Sequence, residues 1–503
     1  MPFDNSSHDH SLSDDSRTIE HTTVNRRRYL QLAGAGLLAG AAGVPSVAAS
    51  DDEYDVVLDV VDDLGADNTG SEPINDALAA ATADVEYDFS HYAPAQGWPM
   101  PAIDEIDFDD GGVKVIFPEG EYVIEAGARG FGFTRWGISP AHPEEQQFLG
   151  KLALVGEGDG DAILRPAEGG RHPIFTLWGR DLRIENFTVD QTVDDTSSGI
   201  TVQGSDQLVI KDIHFDGKVT GDYVETPHWQ DPEYDPSVIL DDPFCVGPGV
   251  FGRDGTGVIE NVRAPDGVQP FSRKGGCWVT FHHAGDLLFQ SCEFSNFSDN
   301  AIYASPPGQH NGQEGSVRVE NCHFENNNIT AIRLGSPGSY AKDCTVVTEE
   351  GEIPATPWGA ITSRAGWIWH SFDGTYENID VVHDHPNGEG ILEEASHHGS
   401  LEVVNSRFEL NRDGRHAVRY LQGGDEVRLN NVHVAGDAGT GSALLLGNCD
   451  ATVNNLRVTQ SGADRDGISF QNATGMVNNP SIDVTGEAIV ADDESDVTVR
   501  NLS

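Results

Sequence analysis

Lysine is nearly missing from this 503-residue chain: of 30 basic residues six are Lys, and they face 82 acidic residues for a formal net charge of -52. So strong a negative field excludes nucleic acid as a partner, since phosphate recognition rests on clustered cations. It points instead to a surface that stays hydrated and dispersed where salt screens repulsion, the mark of a halophilic protein. A disordered acidic tail is excluded by the regular apolar pattern described below. Apolar runs long enough to span a membrane are also lacking: the stretch from Leu32 to Val44 is Gly/Ala-rich and too short. Cysteines number six and show no zinc-ligand spacing. Cys292, Cys322 and Cys344 recur at one place in successive repeats, where others carry Ile213, Val262, Ile379, Val432 or Leu456. They are expected to be buried thiols acting as small hydrophobes.

What the chain does have is a recurring apolar phrase ending in Asn. It reads Leu182-x-Ile184-x-Asn186-x-x-Val189, Leu208-x-Ile210-x-Asp212-x-x-Phe215 and Val317-x-Val319-x-Asn321-x-x-Phe324. It returns around Asn405, Asn431, Asn455 and Asn501, with weaker copies at Asn261, Ser291, Asp343, Asn378 and Asn479. Neighbouring copies are mostly 22 to 30 residues apart, the period of stacked units that cannot bury their apolar faces alone. A second phrase, such as Gly199-Ile-Thr-Val, Ala331-Ile-Arg-Leu or Ala443-Leu-Leu-Leu, precedes most Asn positions by 12 to 15 residues. Two short period-two strands per repeat, with Gly, Asn, Asp and Ser turns, leave no room for a helix. The fold class is therefore all-β, a parallel β-helix solenoid, with the Asn side chains bonding from coil to coil.

Asn25-Arg26-Arg27-Arg28-Tyr29-Leu30, the apolar stretch and the small residues Val47-Ala48-Ala49 read as a twin-arginine export signal. Residues 1–50 are assigned to it, which implies a secreted protein, and 51–180 to an N-terminal cap and first coils. Residues 181–503 are the coils proper, with a loop insertion at about 217–257 beside the outer face. The Ala-rich segment Glu72 to Ala83 predicts a helix that covers the open end of the solenoid.

Val60-Val-Asp-Asp-Leu-Gly65-Ala66-Asp67-Asn68-Thr69-Gly70, then the helix, then Val115-Ile-Phe-Pro118-Glu-Gly120-Glu-Tyr122 and Leu152-Ala-Leu-Val-Gly156-Glu-Gly158 resemble the opening of pectate-lyase-like superfamily members. The resemblance covers residues 55 to 503 and implies a right-handed β-helix. It leaves function open, since polysaccharide lyases, glycoside hydrolases, epimerases, tailspikes and adhesins share the fold. The catalytic succession of the polygalacturonase-type hydrolases is missing. Trp278-Val-Thr-Phe-His282 is similar to a lyase strand without its Asp.

If the Ile or Val of each second phrase points inward, the outward places of the middle coils form a row of His282, Tyr303, Arg333, Arg364, Glu394 and Arg419. Three guanidiniums stacked at coil spacing repel unless carboxylates or an anionic ligand compensate them. Adjacent carboxylates such as Glu393-Glu394 are expected on opposite faces, so they form no dyad. Loops beside this face bring His310, Trp358, Trp367, Trp369, His370, His383, His385, His397 and His398, and tryptophans offer flat faces to sugar rings.

The expected function is β-elimination on an acidic, uronate polysaccharide. Arg333 and Arg364 neutralise the carboxylate, His282 or Tyr303 is the base, and Glu394, Arg419, Trp367, Trp369 and His397 bind substrate. A Ca²⁺ ion could take the place of an Arg, although no ligand spacing names a site and no cofactor is required. The alternatives are a glycoside hydrolase, which needs two carboxylates in one groove, and a non-catalytic polysaccharide-binding solenoid. The last coil shows no evident cap, so another copy of the chain or folded-back loops are expected to cover it.

Overall fold

The computed structural model describes residues 53–83, 86–88, 111–125 and 147–503, apart from 159, 169–172, 194–195, 197, 221–243, 311, 352, 371 and 395–398. The twin-arginine segment, His397 and His398 lie outside the described residues.

Strands of successive coils pair in parallel, each with its counterpart one coil on, and the fold is a right-handed parallel β-helix. The Asn phrase forms one face: Ser316–Glu320, Tyr340–Lys342, Gly374–Glu377, Leu401–Val404, Glu426–Asn430 and their successors stack in strict register. The residues after each Asn make a second face, among them His323–Glu325, Thr345–Thr348, Asp380–His383 and Arg407–Leu410. A third face is made by the second phrase and carries the candidate site. Alternation along each strand sends Val317, Val319, Phe324 and Ile332 into the interior, where all are fully buried.

The Asn position has two physical duties, one of which the sequence pattern alone does not reveal. Asn186, Asn261, Asn321, Asn405, Asn431, Asn455, Asn479 and Asn501 all have φ between 52° and 63°. This is the left-handed region, where Asn is the least penalised residue after Gly. Their side chains then bond along the stack: Asn431 Nδ2 donates to Asn405 Oδ1 at 2.9 Å, Asn455 to Asn431 at 3.0 Å, and Asn501 to Asn479 at 2.8 Å. The ladder thus runs from side chain to side chain at the corner between two faces.

At the N-terminal end the helix spans Asn75–Thr82 and buries Ala77, Leu78 and Ala81. These join Ile74, Val113, Val115 and Tyr122 in the core of the first coil. All six cysteines are free and buried. Hydrogen bonds from the Sγ atoms of Cys292, Cys322 and Cys344 to strand carbonyls show how thiols serve as core residues in a stack.

The segment 217–257, read as a loop, contains a rung of the solenoid. Phe244–Val250 is a fully buried strand that pairs with Ile200–Asp216 on one side and Gly275–Trp278 on the other. Pro248 and two glycines hide it from period-two counting. At the other end Asp496–Arg500 continues the ladder, with Val499 and Leu502 exposed.

Candidate functional site

Register on the third face is set by hydrogen-bonded pairing, and it aligns Trp278, Tyr303, Arg333, Trp367, Leu392, Arg419, Leu445 and Ser469 in one outward row. Tyr303, Arg333 and Arg419 stand where the sequence pattern puts them. His282 and Arg364 do not. In both coils the inward place is held by a residue other than Ile or Val, and this shifts the true strand away from the apparent phrase. In one coil Cys277 pairs with Ile302 and brings Trp278 into the row. In the other Gly366 pairs with Ile332 and brings in Trp367. A side chain on Gly366 would collide with Tyr376, whose buried ring fills the space and whose hydroxyl donates to Ile332 O at 3.3 Å.

His282 is consequently not a groove residue. It is 3% exposed, with Phe281 at 3.9 Å and Trp178 at 5.5 Å between ring centres, and burial pushes its pKa down to about 3. Arg364 moves to the edge of the face, three residues before Trp367, where its register partner is Glu389. His383, read as a loop residue beside the groove, is fully buried on the second face with Nε2 at 3.2 Å from Ser363 O.

Around Arg333 the chain builds an aromatic box. Its guanidinium carbon is 4.0 Å from the Tyr303 ring centre, 3.8 Å from that of Trp369 and 5.1 Å from that of Trp367. Its Nε donates to Ser305 Oγ at 2.8 Å, and the residue is 7% exposed. Burial pulls its pKa below the usual arginine value, against the nearby charges of Asp299 and Glu394, and three π faces add to the compensation of its charge. Arg364 stacks on the other side of Trp367 at 4.2 Å. Its Nη1 donates to Ile329 O and Thr362 Oγ1, and burial lowers its pKa to about 10.

A pocket of about 200 Å³ opens beside this box, lined by Arg364, Trp367, Leu392, Glu393, Glu394, Arg419, Leu421 and Gln422. Strand Glu389–Glu393 ends at Glu393, so the alternation that would separate Glu393 from Glu394 stops there and both line the same pocket. This corrects the expectation of opposite faces. Glu393 is 4% exposed; burial pushes its carboxyl up to about 7, against backbone N–H donors from Leu421 at 2.7 Å and Gln422 at 2.6 Å. Glu389 is also buried, yet its pKa falls below the usual value because His416 Nδ1 at 3.1 Å and the His416 amide at 2.8 Å outweigh desolvation. Arg419 Nη1 lies 3.4 Å from Glu389 Oε1.

Three buried donors in this cluster, Arg364 Nε, Trp367 Nε1 and Trp369 Nε1, have no acceptor among the described residues. A buried donor left unmet costs about 1–3 kcal/mol, and these three belong to side chains that touch one another in turn. No three Asp, Glu, His or Cys side chains converge as a cation site among the described residues.

No family model and no curated protein matches the chain. Solved structures overlay on it loosely. The mannuronan C-5 epimerase A-module of Azotobacter vinelandii is 12% identical, with a TM-score of 0.32 over 88% of this chain and 98% of its own. The catalytic unit of a Streptomyces thermodiastaticus α-1,3-glucanase is 13% identical, with a TM-score of 0.36 over 90% and 70%. A surface adhesin of Streptococcus pneumoniae is 12% identical, with a TM-score of 0.43 over 86% and 91%. Function is therefore argued from this chain's own residues.

Sequence reasoning named Tyr303, Arg333, Arg364, Trp367, Trp369, Glu394 and Arg419, and the fold brings them together, with Arg364 at the edge of the face instead of in its row. It missed Glu389 and Glu393 as members of the cluster. The signal for Glu393 was present in its position at the end of a Gly390-Ile-Leu phrase, one residue before the chain leaves the strand.

Proposed function

We propose that this protein is a secreted carbohydrate-active β-helix that binds an acidic, uronate-containing polysaccharide across the Tyr303–Arg419 face and cleaves it by β-elimination. The observation that carries the reading is the set of unmet buried donors on Arg364, Trp367 and Trp369 beside Arg419, in a chain of net charge -52. An anionic sugar supplies the acceptors that the protein withholds, and carboxylate recognition suits guanidinium forks. Trp367, half-exposed over the pocket, gives the sugar ring a flat face.

In this reading Arg364 neutralises the C6 carboxylate, which acidifies the C5 proton, and Arg419, two coils on, holds the carboxylate of a neighbouring sugar. Tyr303, as the phenolate, takes the C5 proton; the C5–H electron pair becomes the C4–C5 double bond, the C4–O bond breaks, and the leaving oxygen takes its proton from water in the groove. Arg333, boxed by rings, acts on Tyr303 and Trp369 rather than on the substrate. Glu394 orients the sugar through its hydroxyls. Secretion through the twin-arginine pathway and function in high salt belong to the same proposal.

A second reading has one observation in its favour. Two carboxylates, Glu393 and Glu394, line one pocket, and Glu393 carries a carboxyl raised to about 7, as a general acid for glycoside hydrolysis requires. The experiment that separates the two incubates the full chain in molar salt with polyuronates and neutral glucans, with and without Ca²⁺, following unsaturated-uronate absorbance and reducing ends together. Elimination raises both signals; hydrolysis raises reducing ends alone. Silence in both, with polymer still retarding the protein in a gel, leaves a binding solenoid.

A further inference from the structure

Two aromatic side chains stand out from the surface near the loop that leads to Arg364. Trp358 is 66% exposed and Phe271 60% exposed, more than any other large apolar residue described. They belong to different loops, yet those loops are tied: Phe271 N donates to Ala355 O at 3.0 Å, and the Phe271 ring edge lies about 4.0 Å from where a Gly359 side chain would begin. Phe271 and Trp358 therefore sit on one joined loop surface.

The loop that carries Trp358 is held by hydrogen bonds that do not involve its ring. Asn328, fully buried, staples the second loop with three bonds, donating to Pro354 O and Ala360 O and accepting from Thr362 N. Thr356 closes the turn around Trp358 by bonding Ala360 through both backbone and hydroxyl. Phe271 is moreover held at φ 69°, a region that an aromatic residue enters only at a cost. The chain thus spends conformational strain to keep a solvent-facing ring in place, which ordinary surface packing does not explain.

We infer that Phe271 and Trp358 form a sugar-stacking platform, a second binding site for the same polysaccharide outside the pocket. Two rings offer far too little apolar area for a protein partner, whose stable interfaces bury about 1,200–2,000 Å². They match the faces of one or two pyranose rings. Among the described residues the remaining exposed large apolar side chains, Val56, Val57, Met476, Val499 and Leu502, lie in the first and last coils, and none of them widens the platform. Position supports the same occupant. Trp358 and Arg364 are six positions apart, a reach of at most about 20 Å, and Thr362 between them bonds both Asn328 and Arg364. A polymer seated in the pocket can lie across the platform without leaving the chain.

This inference rests on the polysaccharide reading above, and the test separates the two. Affinity electrophoresis of the full chain in gels containing polyuronates or neutral glucans is compared for the wild type, the Phe271→Ala/Trp358→Ala double variant and Arg364→Ala, alongside turnover of a trisaccharide. The double variant should lose about tenfold in apparent affinity for polymer and keep wild-type trisaccharide turnover. Phe271→Gly should likewise weaken retardation while raising the thermal midpoint, because it removes the strained side chain. If the double variant is retarded like the wild type while Arg364→Ala is not, the platform is overturned and the pocket stands. If no polymer retards the wild type, the polysaccharide reading fails and the platform with it. A lowered midpoint for Phe271→Gly would assign the ring to packing and overturn the proposal as well.

Discussion

The middle coils and the C-terminal coils share one backbone and one register, but their outward rows have nothing in common. Inside, Ile332, Ile391 and Val418, interrupted only by Gly366 with Tyr376 filling its space, continue into Leu444 and Ile468, all buried. Outside, Tyr303, Arg333, Trp367 and Arg419 give way to Leu445, Ser469 and Val490. The difference teaches that the interior rows and the Asn corner carry the fold, which leaves the outward row free to carry chemistry. Three unmet donors, on Arg364, Trp367 and Trp369, fall where the outward row is least bland.

Removing interior rings should affect both regions alike. Phe324→Ala in the middle and Phe470→Ala near the end each delete a buried phenyl and should cost about 3–5 kcal/mol, read as a drop in the denaturation midpoint in molar salt. A large loss at only one of them would break the equivalence of the two interiors. Outward substitutions should instead separate the regions. Arg364→Ala should lower polyuronate turnover by about 10²–10³ with little change in midpoint, whereas Ser469→Ala should leave both untouched.

The corner ladder offers a smaller effect. Asn431→Ala loses two side-chain bonds and puts a Cβ without hydrogen-bonding capacity at φ 57°, a destabilisation of about 1–2 kcal/mol. Asn431→Gly should recover the backbone part alone, and comparing the two midpoints divides the duties of Asn. The smallest effect is one of pH. Glu393 holds its proton up to about 7 when folded against an ordinary 4.5, so between those values the native state binds more protons than the unfolded chain. Its contribution to stability is therefore complete at about pH 4.5, declines as pH rises to about 7, and is flat above. Glu393→Gln should remove that slope, seen by following the thermal midpoint from pH 4 to 8.

Much of the fold was legible because its rules are local and repeated. Leu401-x-Val403-x-Asn405 announces strand, corner and period at once, and the Ala-rich stretch before the first coil reads as the helix observed at Asn75–Thr82. The site was legible only where the inward place was occupied by an ordinary aliphatic residue. Tyr303, Arg333 and Arg419 follow Ile302, Ile332 and Val418 and fall in the row. Next to Cys277 and Gly366 the same counting slipped and produced His282 and Arg364 in place of Trp278 and Trp367. A glycine in an interior row is intelligible only with Tyr376 filling its space, and the sequence does not say that these two meet.

The sequence by itself determined the repeat, the parallel pairing, the place of the Asn corner and the acidic surface, because each depends on residues within one coil or on composition. Only the tertiary structure decided that Glu393 and Glu394 share a pocket, that three rings surround Arg333, and that Phe271 stands on the same loop surface as Trp358. Those facts depend on where one coil's strand ends relative to the next. That offset is set by packing between side chains about one coil apart, to which no period within a single repeat is sensitive.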